Sequence, residues 1–258
     1  MRTVRYLALT AVFIALYVTG MQTLFAESGG HGTSVHWGYD GECGTDRWGD
    51  LKREYSVCKL GVRQSPVSIT ITEKSDLASI NFHYYATPLK IVNNGHTIQI
   101  NYGSGSSIMI GNKKYDLLQF HFHNPSEHKL NGVSYPMEVH FVHRGADGKL
   151  AVVGVFMKEG KGNEFIHTLW DNLPKEEGKE NAVTALKINA KDLLPSNATY
   201  YNYPGSLTTP PCSEIVNWFV LKTPIEVSGA QLDKFASIFK RSARPVQPLH
   251  GRVVKESN

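Results

Sequence analysis

Gln119-Phe120-His121-Phe122-His123 alternates polar and aromatic side chains with a period of two. That is the period of a β-strand, whose successive side chains point to opposite faces of a sheet. Gln119, His121 and His123 then share one face, and Leu118, Phe120 and Phe122 share the other. A second segment, Met137–His143, contains Glu138-Val139-His140 and puts Glu138, His140 and Val142 on one face. Asn131-Gly132 between the two is a turn signal, so the second strand can return beside the first. His121, His123 and His140 can then converge. Three neutral imidazoles are a catalytic zinc set that leaves the fourth tetrahedral position to water. Gln119 and Glu138 are placed to accept ring N–H groups and so select the nitrogen that faces the metal. A His-x-His pair alone would more often be two half-exposed strand histidines. The third histidine, with polar partners on the same face, shifts the reading to a metal site.

Outward from this pair the chain reads mostly as strand. Signals fall at Val67–Thr72, Ile80–Tyr85, Leu89–Val92, Thr97–Tyr102 and Ser107–Ile110, then at Tyr115–His123, Met137–His143, Leu150–Met157 and Ile215–Leu221. They are rich in Val, Ile, Phe and Tyr and are punctuated by Gly, Asn and Pro. Two helices are expected, Glu164–Asn172 and Ala230–Lys240, the second behind Ser228 as its cap. No linker or repeat divides the body of the chain, so residues 27–258 are read as one β-dominated domain.

The 258 residues suffice for a packed core without disulfide staples. Charged residues at 19% and hydrophobic residues at 41% exclude a wholly disordered chain. The charge balance is 27 − 23 = +4, spread along the chain with no run of five like charges, and it gives little support to nucleic acid as a partner. Three cysteines exclude a disulfide scaffold and an all-cysteine zinc site. Residues 1–26 read as a signal peptide: Arg2 and Arg5, an apolar run from Tyr6 to Val18, and Leu24-Phe25-Ala26 at the cut. The run is shorter than the roughly 20 residues of a membrane span. Export to the periplasm or beyond would put the chain where disulfides persist. His123-Asn124-Pro125-Ser126-Glu127-His128 only superficially matches the inverted zinc-peptidase motif. It has one residue too many, and Asn124-Pro125 disfavours the helix that motif needs.

The sequence resembles the α-class carbonic anhydrases, particularly the exported bacterial type. The resemblance rests on His36-Trp37-Gly38-Tyr39, Arg63-Gln64-Ser65-Pro66, Asn93-Asn94-Gly95-His96, Gln119 to His123, Ser126-Glu127-His128 and Glu138 to His143. It continues through Tyr203-Pro204-Gly205-Ser206-Leu207-Thr208-Thr209-Pro210-Pro211 to Arg244-Pro245-Val246-Gln247-Pro248-Leu249. It implies an α/β, β-dominated single domain: a large, mainly antiparallel twisted sheet of about ten strands flanked by short helices. It implies one Zn(2+) per chain on His121, His123 and His140, and reversible hydration of carbon dioxide to bicarbonate and a proton by hydroxide generated at zinc. Thr208 and Glu127 would orient that hydroxide. Val142, Val152, Leu207, Thr209 and Trp218 would line the substrate pocket. His96 would shuttle the proton, with Tyr39, Asn94 and Gln99 ordering water on the way. The family often has Asn where Gln99 stands, which puts the water arrangement in question. Sulfonamide-type and anion inhibitors are expected, and a homodimer is left open.

The resemblance also implies a Cys58–Cys212 disulfide, which leaves Cys43 unpaired. His128 is expected in a buried network with Glu138 or Tyr203, and His143 to point away from the metal. His83, His167 and His250 receive no role. Asn197-Ala198-Thr199 is a glycosylation sequon that matters only in a glycosylating host. Two rival functions stand beside hydration. One is a zinc-dependent esterase, disfavoured by a narrow apolar pocket. The other is a metal-free binding module, disfavoured by the complete histidine set.

Overall fold

A computed structural model describes residues 36–174 and 176–258. The expected leader, residues 1–26, lies outside the described residues. No helix among the described residues is long and apolar enough to cross a membrane.

The first strands are β1 Ser68–Ile69, β2 Thr72–Lys74, β3 Ile80–His83, β4 Thr87–Asn93, β5 Ile98–Asn101, β6 Ser107–Ile110 and β7 Lys113–His123. They continue as β8 Lys129–Leu130, β9 Val133–Ser134, β10 Met137–Gly145 and β11 Leu150–Glu159. The last are β12 Glu180–Ile188, β13 Tyr200–Gly205, β14 Val216–Val227 and β15 Val254–Glu256. Twelve of them form one sheet in the order β12-β4-β5-β7-β10-β11-β14-β13-β15-β2, with β3 and β6 branching off β7. Most pairs are antiparallel; β11–β14 and β15–β2 are parallel. The fold is thus the expected β-dominated one, with ten strands along the main path and two on the branch.

The two central strands are buried on both faces. Phe120, Phe122, Val139 and Phe141 enter the main core. Val142, Val152, Tyr203 and Trp218 form a second, smaller core. One expected side chain is misplaced by simple alternation. Val142 pairs with Gln119, but His143 pairs with Leu117, so Leu118 is an extra residue in β7. This bulge resets the phase. Leu117, not Leu118, is the buried member of the main core.

Asn131-Gly132 does turn the chain, but within the small β8–β9 hairpin, which belongs to a separate sheet with β1. Both residues have positive φ, 52° and 81°, as a two-residue hairpin loop requires. The helices are α1 Trp48–Leu51, α2 Val57–Leu60, α3 Glu164–Asp171 and α4 Gly229–Ile238. Ser228 caps α4 in a full capping box with Gln231. The Gln231 side chain also accepts from Asn163 N–H, locking α4 to the start of α3. The Cys58–Cys212 bridge is formed, with Cα atoms 5.0 Å apart, and Cys43 is free and half-buried.

Candidate metal centre

β7 and β10 run antiparallel with His121 opposite His140 and His123 opposite Glu138. The register brings ligand-capable atoms of His121, His123 and His140 within 4.8 Å of one another. Each ring bonds one nitrogen to a protein acceptor. His121 Nδ1 meets Gln119 Oε1 at 2.8 Å. His140 Nε2 meets Glu138 Oε1 at 2.9 Å. His123 Nδ1 meets the Ser242 carbonyl at 2.5 Å. An acceptor on one nitrogen holds the proton there and leaves the lone pair on the other. The lone pairs therefore fall on His121 Nε2, His123 Nε2 and His140 Nδ1.

His123 Nε2 is buried without a hydrogen-bond partner. Such an atom costs about 1–3 kcal/mol unless something occupies it. Three neutral imidazole nitrogens are a donor set that zinc accepts. Burial, reinforced by its two neighbours, holds His121 well below the usual histidine range. Burial also lowers His123, against the opposing carboxylate of Glu127. Both rings are thus neutral near pH 7, as metal ligation requires. The residues fit the ion.

Around the rings lies a buried polar network. Glu138 accepts from His128 Nδ1 at 2.8 Å and from the His128 backbone N–H at 2.9 Å. His128 Nε2 meets Tyr203 Oη at 2.6 Å, and Tyr203 donates to Ser65 Oγ at 3.0 Å. His128 thus touches both expected partners. Burial would push Glu138 up, but the His128 and His140 rings beside it, each offering an N–H, hold it well below the usual carboxylate range. Gly154 faces His140 across β10–β11. A Cβ there would sit 2.7 Å from Glu138 Oε1, so only glycine leaves room for this carboxylate.

Glu127 is buried. Its Oε1 accepts from the Arg244 backbone N–H at 2.8 Å. Its Oε2 has no partner and lies 3.5 Å from His123 Nε2 and 3.8 Å from His140 Nδ1. Thr208 is buried, and no hydrogen bond joins it to Glu127 among the described residues. The loop carrying Thr208 is closed by Leu207 N–H to Ser213 O at 3.0 Å and Cys212 N–H to Thr209 O at 2.9 Å. Val142, Val152 and Trp218 are successive cross-strand partners on β10, β11 and β14. Leu207 packs against them, half-buried, and the Trp218 and His140 rings lie 4.8 Å apart.

On the other side, Gln99 pairs with His121 across β5–β7. Asn94 Nδ2 meets Gln99 Oε1 at 3.5 Å, and Asn94 Oδ1 accepts the backbone N–H groups of His96 and Thr97. His96 is half-buried, its ring stacked on Trp37 with centroids 3.6 Å apart. Burial lowers its pKa, His36 lowers it further and Glu177 opposes. Tyr39 packs edge-on against Trp37 and Trp48. Burial and the Glu127 carboxylate hold its hydroxyl protonated. The Ser242 carbonyl, Arg244 and Gly154 are site elements that the sequence reading missed. A backbone carbonyl leaves no mark in residue type, and an isolated glycine in a strand signals only close approach.

A mixed sheet carrying three converging imidazoles defines a candidate metalloenzyme centre. The family described as eukaryotic-type carbonic anhydrase matches residues 43–258. A carbonic anhydrase of Nostoc sp. is 42% identical over 229 residues, covering 87% of each chain. A hyperthermostable carbonic anhydrase from an active hydrothermal vent chimney superposes with a TM-score of 0.84 at 50% identity, covering 86% of this chain and all of that one. The α-carbonic anhydrase of Thermovibrio ammonificans, solved with the inhibitor sulfanilamide, gives 0.82 at 45% identity, covering 86% and 99%. The chain belongs to the α-class, eukaryotic-type carbonic anhydrase family, enzymes whose general reaction is the hydration of carbon dioxide.

Proposed function

We propose that this chain holds one zinc ion on His121, His123 and His140 and hydrates carbon dioxide reversibly to bicarbonate and a proton. The observation that carries this reading is the set of three ring nitrogens left over once Gln119, Glu138 and the Ser242 carbonyl have taken the others. Zinc in such a cage supplies hydroxide at neutral pH by lowering a water's pKa to about 7, the figure established for carbonic anhydrase itself.

The protein's own groups do the rest. Thr208 would accept the hydrogen of the hydroxide that zinc supplies and would give its own to the free Oε2 of Glu127, a bond not formed in this structure, so that the oxygen lone pair is aimed. Glu127 suits this role because Oε1 is already fixed by Arg244 N–H while Oε2 is free. Carbon dioxide has no net dipole, so the apolar row Val142, Val152 and Trp218, with Leu207, is a matching wall. Thr209 completes the rim. His96 takes the released proton and passes it to solvent, with water ordered by Tyr39, Asn94 and Gln99. Sulfonamides and small anions should inhibit at this centre; the Thermovibrio ammonificans enzyme was solved with the inhibitor sulfanilamide. Export fits the disulfide, which needs an oxidising compartment.

The test is zinc content joined to stopped-flow hydration of carbon dioxide on purified protein. One zinc per chain with rapid hydration is expected. Stoichiometric zinc without hydration, or ester cleavage outpacing it, would overturn the reading.

A further inference from the structure

Ser242, Ala243 and Arg244 form a buried segment, 0%, 5% and 3% exposed, that borders the histidine cluster. Its backbone makes two contacts that orient the site. The Ser242 carbonyl accepts from His123 Nδ1 at 2.5 Å, and Arg244 N–H donates to Glu127 Oε1 at 2.8 Å. Ser242 is also tied to Asn124, the residue after His123, through Ser242 N–H to Asn124 O at 2.8 Å and Asn124 N–H to Ser242 Oγ at 3.0 Å.

The segment is held from behind by the Arg244 side chain. Nη1 donates to Gln64 Oε1 and to the Ser65 carbonyl, and Nη2 to the Cys58 carbonyl, each at 2.8 Å. The guanidinium lies over the Trp48 ring, 5.6 Å from its centroid. Among the described residues, no carboxylate stands within ion-pair distance of it. Burial lowers its pKa to about 10 while the nearby Glu127 carboxylate, too far for an ion pair, opposes, so it stays charged at neutral pH. A buried charge with no directly paired carboxylate is costly unless hydrogen bonds satisfy it. Here all its acceptors are neutral and all belong to one stretch, Cys58 to Ser65. Gln64 carries the connection onward, donating to the Cys212 carbonyl at 3.1 Å. One planar fork therefore joins the bridged cysteine, the Arg63-Gln64-Ser65-Pro66 turn and the backbone beside the histidines.

We propose that Arg244 is a positioning residue of the metal centre, its fork on Cys58, Gln64 and Ser65 fixing the backbone that orients His123 and Glu127. The inference rests on zinc being held by His121, His123 and His140. Lysine keeps the charge but not the planar fork. The test measures zinc affinity by chelator competition, the visible spectrum of the cobalt(II)-substituted protein, kcat/KM and the melting temperature. Arg244→Lys should weaken zinc binding about 10- to 100-fold, lower kcat/KM to a similar extent and alter the cobalt spectrum. Gln64→Leu, which removes one acceptor of the fork, should shift all three in the same direction by less. A purely supporting arginine would lower the melting temperature and leave zinc affinity and spectrum at wild-type values; that result in folded Arg244→Lys overturns the proposal. Should Arg244→Lys fail to fold, unchanged zinc affinity and spectrum in Gln64→Leu overturns it equally. A wild-type protein that binds no zinc would instead strike the functional reading beneath it.

Discussion

β10 carries two histidines with opposite fates. His140 faces the cluster, and His143, three residues on, faces the main core. Both are fully buried, so burial does not tell them apart. Their nitrogens do. His143 Nε2 meets Tyr84 Oη at 2.7 Å and Nδ1 meets the Ala151 carbonyl at 3.1 Å, so both its nitrogens are satisfied by protein. His140 bonds Glu138 with one nitrogen and turns the other toward His121 and His123. A ligand histidine is one whose hydrogen-bond account stays open on one side, toward other open imidazoles.

The largest effect should come from closing the His140 face. His121→Ala or His140→Ala should lose zinc and hydration together, with the rate falling to that of the uncatalysed reaction in stopped flow. Full activity without zinc would refute the ligand assignment. Next comes the acceptor behind the ring. Glu138→Gln should weaken zinc binding about 10- to 100-fold, read by chelator competition. His96→Ala should follow, lowering kcat by up to about 100-fold with kcat/KM nearly unchanged, and added imidazole should restore part of the rate. Because burial depresses His96, the pH midpoint of kcat assigned to the shuttle should lie below the ordinary histidine value.

The smallest effect belongs to His143, and it concerns stability. Burial lowers its pKa from 6.5 to about 4, against the backbone acceptors at Ala151 and Phe141. Above pH 6.5 the ring is neutral folded and unfolded. Between pH 6.5 and about 4 the unfolded chain takes up the proton and the folded chain does not, so stability falls as pH falls. The loss attributable to this residue levels off below pH 4 at about 3 kcal/mol. Urea midpoints at pH 7 and pH 4.5 should show a smaller acid loss in His143→Gln than in wild type, with zinc binding at pH 7 intact.

What the sequence revealed of all this followed physical periodicity. The faces of Gln119–His123 and Glu138–Val142 were legible because a strand alternates with period two, which also set Val142 beside His140, whereas Val152 and Trp218 came only from the family resemblance. Leu118 failed because a bulge leaves no signature in composition and resets the alternation behind it. β12 went unread because only Ile188 of its nine residues is buried and its Val183 and Leu186 stand among Glu180, Asn181, Lys187 and two alanines, with no clean alternation. β13 was hidden by Pro204, which argues against a strand interior. β15 reaches only Tyr201 and Asn202, so Pro204 sits where that edge is open. The roles of Ser242 and Arg244 depend on backbone atoms about 120 residues from the histidines, joined only by the tertiary fold.

The central claim is that an open nitrogen, not burial, makes the metal site. It is tested most directly by titrating metal-stripped wild type, His140→Gln and His143→Gln with zinc in parallel. Wild type and His143→Gln should each bind one zinc with like affinity, and His140→Gln should lose it. Undiminished binding in His140→Gln, or its loss in folded His143→Gln, would contradict the account.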